Sequence, residues 1–196
     1  MDETYPARLI HAIAEGNNEA FARLFDLMYM KVYRFASYFI RLREDREEVV
    51  SEVFRTIWQN RHLLTGVRNL ESYIYVVTRN ESYKLLRAHS KYRHLSIDEM
   101  PVELVLPDPS GETQLIDHET MQVYREAIDE LPERCKLIFL MVREERLRYK
   151  EIAEILSITE GTVERQINIA TKKIVETVRK RMPGLKIRKK SNKDCG

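Results

Sequence analysis

Glycine and proline are scarce in this chain, with six of each among 196 residues. An all-β domain punctuates its strands with a turn every 8 to 12 residues or so, and this sequence lacks the turn formers for that. Cysteine is nearly absent: Cys135 and Cys195 are too few for a disulfide framework or a metal cluster. Cys135 lies on an apolar helical face and reads as a small buried hydrophobe, whereas Cys195 sits in a polar tail, so a reduced, cytoplasmic protein is expected. His11, His62, His89, His94 and His118 show no HExxH or comparable ligand spacing, which removes the usual zinc-hydrolase pattern. No metal or cofactor is expected. The opening MDETYPARL lacks the basic start and apolar run of a secretion signal. No stretch is long and apolar enough to span a bilayer, so any membrane contact is expected through a partner.

What is present is helical. Apolar residues make up 43% and charged residues 33%, the balance of helices with one packed and one solvated face. The formal net charge of +2 says little as a sum, but acidic residues gather in the middle and basic ones at the C-terminus. After Gly16, Asn17 and Asn18, residues Phe21, Leu24, Phe25, Met28, Val32, Phe35, Phe39 and Ile40 recur at three and four, with Tyr29, Tyr33 and Tyr38 broadening a core-forming stripe. A second helix, REDREEVVSEVFRTIWQNR, turns Val49, Val50, Val53, Phe54, Ile57 and Trp58 inward. Its acids Asp45, Glu47, Glu48 and Glu52 crowd the N-terminal half, where the helix dipole favours them. Glu48 and Glu52 nevertheless share one side and repel, which marks them as a protein-docking patch.

A third helix is expected from about Leu70 to Tyr92. Asn80, Lys84, Arg87 and Lys91 fall at steps of four, three and four, and Tyr73, Tyr75, Tyr83 and Tyr92 are interleaved with them. Cations beside aromatic rings suit a partly opened nucleic acid, because rings stack on unpaired bases while cations hold phosphates. The alternative for that segment is a plain solvated face. From residue 94 to 117 the sequence HLSIDEMPVELVLPDPSGETQLID has prolines and acids but no period, and reads as a flexible linker. At about 3.3 Å per residue it reaches roughly 80 Å. That exceeds the roughly 60 Å between DNA elements some 17 base pairs apart. One chain can therefore hold two separated DNA elements.

The sharpest chemistry lies between Leu131 and Val178. Leu131-Pro132 opens a helix, with proline suited to a first helical position, and Cys135, Ile138, Phe139 and Val142 form an apolar lid. Then comes KEIAEIL, a tight turn at Ser157 and Ile158, and a second helix capped by Thr159. Ile158 and Val163 are spaced as a hydrophobic staple, which fixes the angle at which the chain enters. Val163, Ile167, Ala170, Ile174 and Val178 face a core, while Glu164, Arg165, Gln166, Asn168, Thr171, Lys172 and Lys173 project long polar groups of the kind that reach base edges and phosphates. The alternative is an ordinary amphipathic helix with a solvated charged face, but the tight turn, the preceding lid helix and the basic tail RKRMPGLKIRKKSNKD favour a DNA-reading helix-turn-helix.

Taken in order, the chain resembles a bacterial RNA polymerase sigma factor of the small extracytoplasmic-function group, which keeps only sigma domains two and four. The resemblance rests on GNNEAFARLF, DREEVVSEVFRTIW, LESYIYVVTRN, and LPERCKLIFL with YKEIAEILSITEGTVERQI. It implies an all-α fold of two small helical domains, 1–93 and 118–183, joined by the acidic linker 94–117 and followed by the tail 184–196. It implies that Glu48, Ser51, Glu52 and Trp58 face core RNA polymerase. Asn80, Lys84, Arg87 and Lys91, with a base-trapping loop from Asn60 to Asn69, would meet the minus-ten promoter element. Glu164, Arg165, Asn168 and Ile169 would meet the minus-thirty-five element, with Lys150, Arg165 and Lys172 on phosphates. The partners implied are core polymerase, promoter DNA and an anti-sigma protein, and the role is promoter-directed transcription initiation by binding, without catalysis. Ser51 stands where glutamine is common, Tyr73 where tryptophan is, Lys84 where aspartate is, and Ser157 where the turn glycine is. Ser157 then either avoids a positive φ or tolerates it at a cost.

Three other readings compete. A stand-alone helix-turn-helix regulator explains the C-terminal region but gives the acidic helix and linker no job. A metal-dependent helical hydrolase lacks ligand spacing. A structural interaction protein would bind no DNA even with polymerase.

Overall fold

Asparagine caps begin the two longest helices of the first half. The structure, a computed structural model, describes residues 7–89 and 118–183, which belong to two separate compact units. In the first unit, α1 (Ala7–Ala14) is followed by α2 (Asn18–Ser37), α3 (Arg43–Gln59), a 3-10 helix (Arg61–Gly66) and α4 (Leu70–Ala88). Asn17 Oδ1 accepts from the Ala20 amide at 2.9 Å, and Asn69 Oδ1 from the Ser72 amide, also at 2.9 Å. Each satisfies a first-turn donor that the helix itself leaves unpaired. Between α1 and α2, Gly16 adopts φ 89°, a left-handed conformation that a side chain would strain. This turn lets Asn17 N–H close back on the Ala12 carbonyl at 2.9 Å.

The core of this unit is the stripe expected of α2 and α3. Leu24, Met28, Val32 and Phe35 meet Val49, Val53 and Ile57, all buried, with Ile74 and Tyr75 of α4 completing it. Each such side chain contributes about 1.5–3 kcal/mol on removal from water. The eight-residue α1 is an element the sequence reading did not include. It packs on the 3-10 helix, where Ile13 and Leu64 are both fully buried. Phe25 departs from the expected stripe: it is 37% exposed, resting on Tyr29 and Phe54 at the rim. α4 ends at Ala88, with His89 already extended at ψ 113°, short of the expected Tyr92. Tyr92 and the expected linker lie outside the described residues, as do Cys195 and the basic tail beyond residue 183; the first tail residues, Arg179, Lys180 and Arg181, are helical.

In the second unit α5 (His118–Asp129), α6 (Glu133–Arg143) and α7 (Tyr149–Leu156) all pack on α8 (Glu160–Arg181). Ile138 and Met141 of α6, Ile152 and Ile155 of α7, and Val163 and Ala170 of α8 are buried together in its core. Cys135 is buried as expected, and its Sγ donates to the Gln166 carbonyl at 3.2 Å, joining α6 to α8. Burial pushes that thiol up, more than the nearby Lys173 pulls it down. Pro132 sits one place earlier than expected, as the N-cap of α6 with φ −56° and ψ 143°; its carbonyl accepts the first intrahelical bond, from Lys136 at 2.9 Å. Lys136 is buried on the apolar side of α6, and its ammonium reaches Asp129 at 2.7 Å. That pairing removes the cost of burying an isolated charge. Among the described residues there is no strand.

Candidate nucleic-acid and partner interfaces

The turn between α7 and α8 is where sequence and backbone are in tension. Ser157 adopts φ 57° and ψ 46°, so the chain tolerates a left-handed residue rather than avoiding one, at about 1–2 kcal/mol. That conformation lets Ile158 N–H reach the Ala153 carbonyl at 2.9 Å and closes α7 sharply. Thr159 then caps α8, its Oγ1 accepting from the Thr162 amide at 3.2 Å. At the other end of α7, the Glu151 carboxylate accepts from the Arg148 amide at 2.7 Å. Both helices are thus pinned at their starts, which sets the direction of α8 relative to α7.

α8 buries Val163, Ala170, Ile174 and Val178. Its opposite side forms a shallow open groove lined by Gly161, Glu164, Arg165, Asn168, Ile169 and Lys172. The groove therefore brings together every expected minus-thirty-five residue except Lys150, which is exposed on the first turn of α7. Arg165, Glu164 and Asn168 are exposed, so a guanidinium, a carboxylate and an amide lie along one helical stripe beside the half-buried Ile169. These are the groups that pair guanine, cytosine and adenine edges and touch a thymine methyl. Gly161 was not singled out from the sequence. It opens one end of the groove, with empty space where a Cβ would stand.

In the first unit, Glu48 and Ser51 are exposed on α3. Glu52 is held by Arg55, whose Nε donates to its carboxylate at 2.9 Å. That hydrogen bond keeps the Glu52 carboxyl below the ordinary carboxylate range, and the Arg55 guanidinium is raised in turn. The repulsion expected between Glu48 and Glu52 is therefore relieved from within the helix. Trp58 is half-buried, its ring 4.9 Å from that of Phe21 and 4.6 Å from the Arg61 guanidinium. It anchors the start of the 3-10 helix as much as it offers a surface.

Asn80, Lys84 and Arg87 are all exposed along α4, and Lys91 lies outside the described residues. The interleaved tyrosines behave differently from the stacking platform expected of them. Tyr75 is fully buried and Tyr83 is 5% exposed, packed on Phe35 at 4.5 Å and Phe39 at 5.3 Å. Neither can stack on a base; they are core residues, and Tyr73 is half-buried. The expected base-trapping loop contains the 3-10 helix, which is anchored by buried Leu64 and presents Leu63 at 54% exposure. Among the described residues, no group of three or more potential metal ligands occurs, and no helix is long and apolar enough to cross a membrane.

Comparison with known families decides what these surfaces belong to. The family described as "Sigma-70 region 2" matches residues 24–92, and "Sigma-70, region 4" matches residues 121–174. The chain belongs to the extracytoplasmic-function RNA polymerase sigma factors. The region 2 match gives the N-terminal helices the role that a stand-alone regulator would leave empty, and the function is that of a sigma factor in transcription initiation. Among relatives, the sigma factor is 26% identical to SigV of Bacillus subtilis, covering 71% of this chain and 80% of that one. It is 21% identical to the extracytoplasmic-function sigma factor SigW of the same organism, covering 81% and 89%. It is 24% identical to the probable sigma factor RfaY of Xanthomonas campestris pv. campestris over 86% of this chain, but spans only 43% of that longer relative. Two solved structures share the fold at 17% identity. CnrH, in complex with the cytosolic domain of CnrY, superposes with a TM-score of 0.58 over 89% of this chain and 97% of that one. RpoE of Bartonella quintana, in complex with the anti-sigma factor NepR, superposes with 0.59 over 81% and 96%.

Proposed function

We propose that this sigma factor docks on core RNA polymerase through Glu48, Ser51, Glu52 and Trp58, and carries promoter DNA on two separate surfaces. The α4 stripe of Asn80, Lys84 and Arg87, extended by Lys91, meets the minus-ten element together with the loop from Asn60 to Asn69. The α8 groove of Glu164, Arg165, Asn168, Ile169 and Lys172, aided by Lys150, meets the minus-thirty-five element. The observation that carries this reading is the groove itself: a helix-turn-helix fixed by two N-caps presents guanidinium, carboxylate, amide and ammonium groups along one face.

The protein acts by binding alone, in the cytoplasm, where its partners are. Capture of unstacked minus-ten bases offsets the few kcal/mol that unstacking costs, which biases the duplex toward opening. Residues 1–93 and 118–183 serve as the two domains, with 94–117 as the linker between them and 184–196 as a tail. Because two proteins of the same fold were solved in complex, one with the anti-sigma factor NepR and one with the cytosolic domain of CnrY, an anti-sigma protein is the further partner.

Co-elution with sigma-free core polymerase tests the reading. The parent should co-elute, and a Glu48→Lys/Glu52→Lys variant that remains folded by circular dichroism should not. Equal retention of both would remove the acidic helix from the interface.

A further inference from the structure

The hydrogen-bonding capacity of Asn80, on the α4 stripe, is already divided. The Arg79 side chain donates to Asn80 Oδ1 twice, from Nη2 at 2.8 Å and from Nε at 3.2 Å. Neighbouring residues on a helix do not face one another, so this contact uses the length of the arginine, which is half-buried at the edge of the stripe. A guanidinium has five donors and no acceptor. The partner atom in the amide is therefore its oxygen, and the Nδ2 group is what remains for a ligand.

We infer that Arg79 is a positioning residue for promoter reading: it holds the Asn80 amide so that Asn80 presents only donors to an unstacked minus-ten base. The inference rests on the proposal that Asn80 meets the minus-ten element. Its consequence is chemical. A free asparagine reads adenine with both amide atoms, its oxygen taking the N6 amino donor while its nitrogen gives to N7. With Oδ1 occupied that pairing is closed, and Asn80 favours an edge made of acceptors, such as O6 and N7 of guanine or O4 of thymine. Arg79 need not touch DNA for this. The arginine also keeps a positive charge beside the stripe, where phosphates run.

The test uses the full chain assembled with core polymerase, and promoters carrying each of the four bases in turn at every minus-ten position. Initiation rates are compared for the parent, Asn80→Ala, Arg79→Leu and Arg79→Lys, with melting temperatures alongside. The parent should prefer an acceptor-edged base at one position, and Asn80→Ala should flatten that position alone. Arg79→Leu should change the same position, raising adenine relative to the parent's preferred base by about twofold to tenfold, the range of one hydrogen bond. Arg79→Lys, which can still donate to Oδ1, should restore much of the parent's preference. A purely structural role for Arg79 would lower the melting temperature and slow all promoters alike, and that outcome overturns the inference. So does an Arg79→Leu profile identical to the parent's while Asn80→Ala flattens its position. If Asn80→Ala flattens no position, the minus-ten role of Asn80 fails, and the inference with it.

Discussion

The two proposed DNA faces differ in how much of their chemistry is already spent. On α8, Glu164, Arg165 and Asn168 project into an open groove. The ion pair found there joins Lys172 to Glu176 at 4.0 Å, between side chains 78% and 63% exposed, and is worth little. On α4, Asn80 is bonded by Arg79 and Lys84 is paired with Glu81 at 3.1 Å. The recognition helix thus offers ready donors and acceptors, as duplex reading in a major groove requires. The α4 stripe offers groups that must first change partners or are already oriented, which suits bases that arrive unstacked and one at a time. The face proposed for duplex DNA and the face proposed for melted DNA are built differently on two units of one chain.

The largest effect should come from breaking one unit and sparing the other. Ile138 is fully buried in the second unit, and Ile138→Ala should destabilise that unit by about 2–5 kcal/mol. Minus-thirty-five recognition should disappear while polymerase retention through α3 persists; loss of both would show that the units are not independent. Arg165→Ala comes next. It should remove preference among minus-thirty-five sequences, a discrimination of about 1–3 kcal/mol if the guanidinium pairs a guanine with two bonds, with polymerase binding unchanged. Competition binding among minus-thirty-five variants measures it, and an unaltered preference would take Arg165 out of the reading set.

How far the sequence foretold this comparison depended on what each residue's pattern encodes. The α8 groove was legible almost residue by residue, because a helical period places Glu164, Arg165, Asn168 and Lys172 on one side whatever packs on the other. The Thr159 cap was equally legible, being a local matter of one hydroxyl and one amide. The tyrosines of α4 were not. Tyr75 and Tyr83 lie within the same periodic segment as Asn80 and Lys84, yet which side of the helix is buried depends on Phe35 and Phe39 of α2, far away in sequence. The helix α1 was missed because eight residues carry barely two turns of pattern, and its stability comes from contact with the 3-10 helix around Leu64. The Arg79–Asn80 bond has no periodic signal at all, since adjacent helical residues are not expected to meet.

Ser157 gives a smaller and oppositely signed prediction. Its left-handed backbone is the conformation glycine adopts without strain, so Ser157→Gly should stabilise the second unit by about 1 kcal/mol, the steric relief being partly offset by the freer unfolded chain. Urea unfolding of the second unit checks it. A destabilised variant would mean that the serine hydroxyl, rather than the backbone, holds this turn, and that the helix-turn-helix has replaced the usual glycine to advantage.

The smallest effect should come from the acidic helix, and it is a matter of sign. The Arg55 hydrogen bond, aided by its charge, holds the Glu52 carboxyl below its ordinary value. A lowered carboxylate contributes stability that is present above the unfolded value and lost as pH falls through the folded one. Melting temperatures of the parent and Glu52→Gln should therefore differ most near neutral pH and converge below the carboxylate range. Salt should narrow the gap at neutral pH as well, because this pair stands in solvent. Parallel curves at every pH would show that Arg55 does not hold Glu52 in solution. Glu52 would then be as uncommitted as the carboxylate of Glu164, and the contrast between a pre-paired first unit and an open second one would rest on α4 alone.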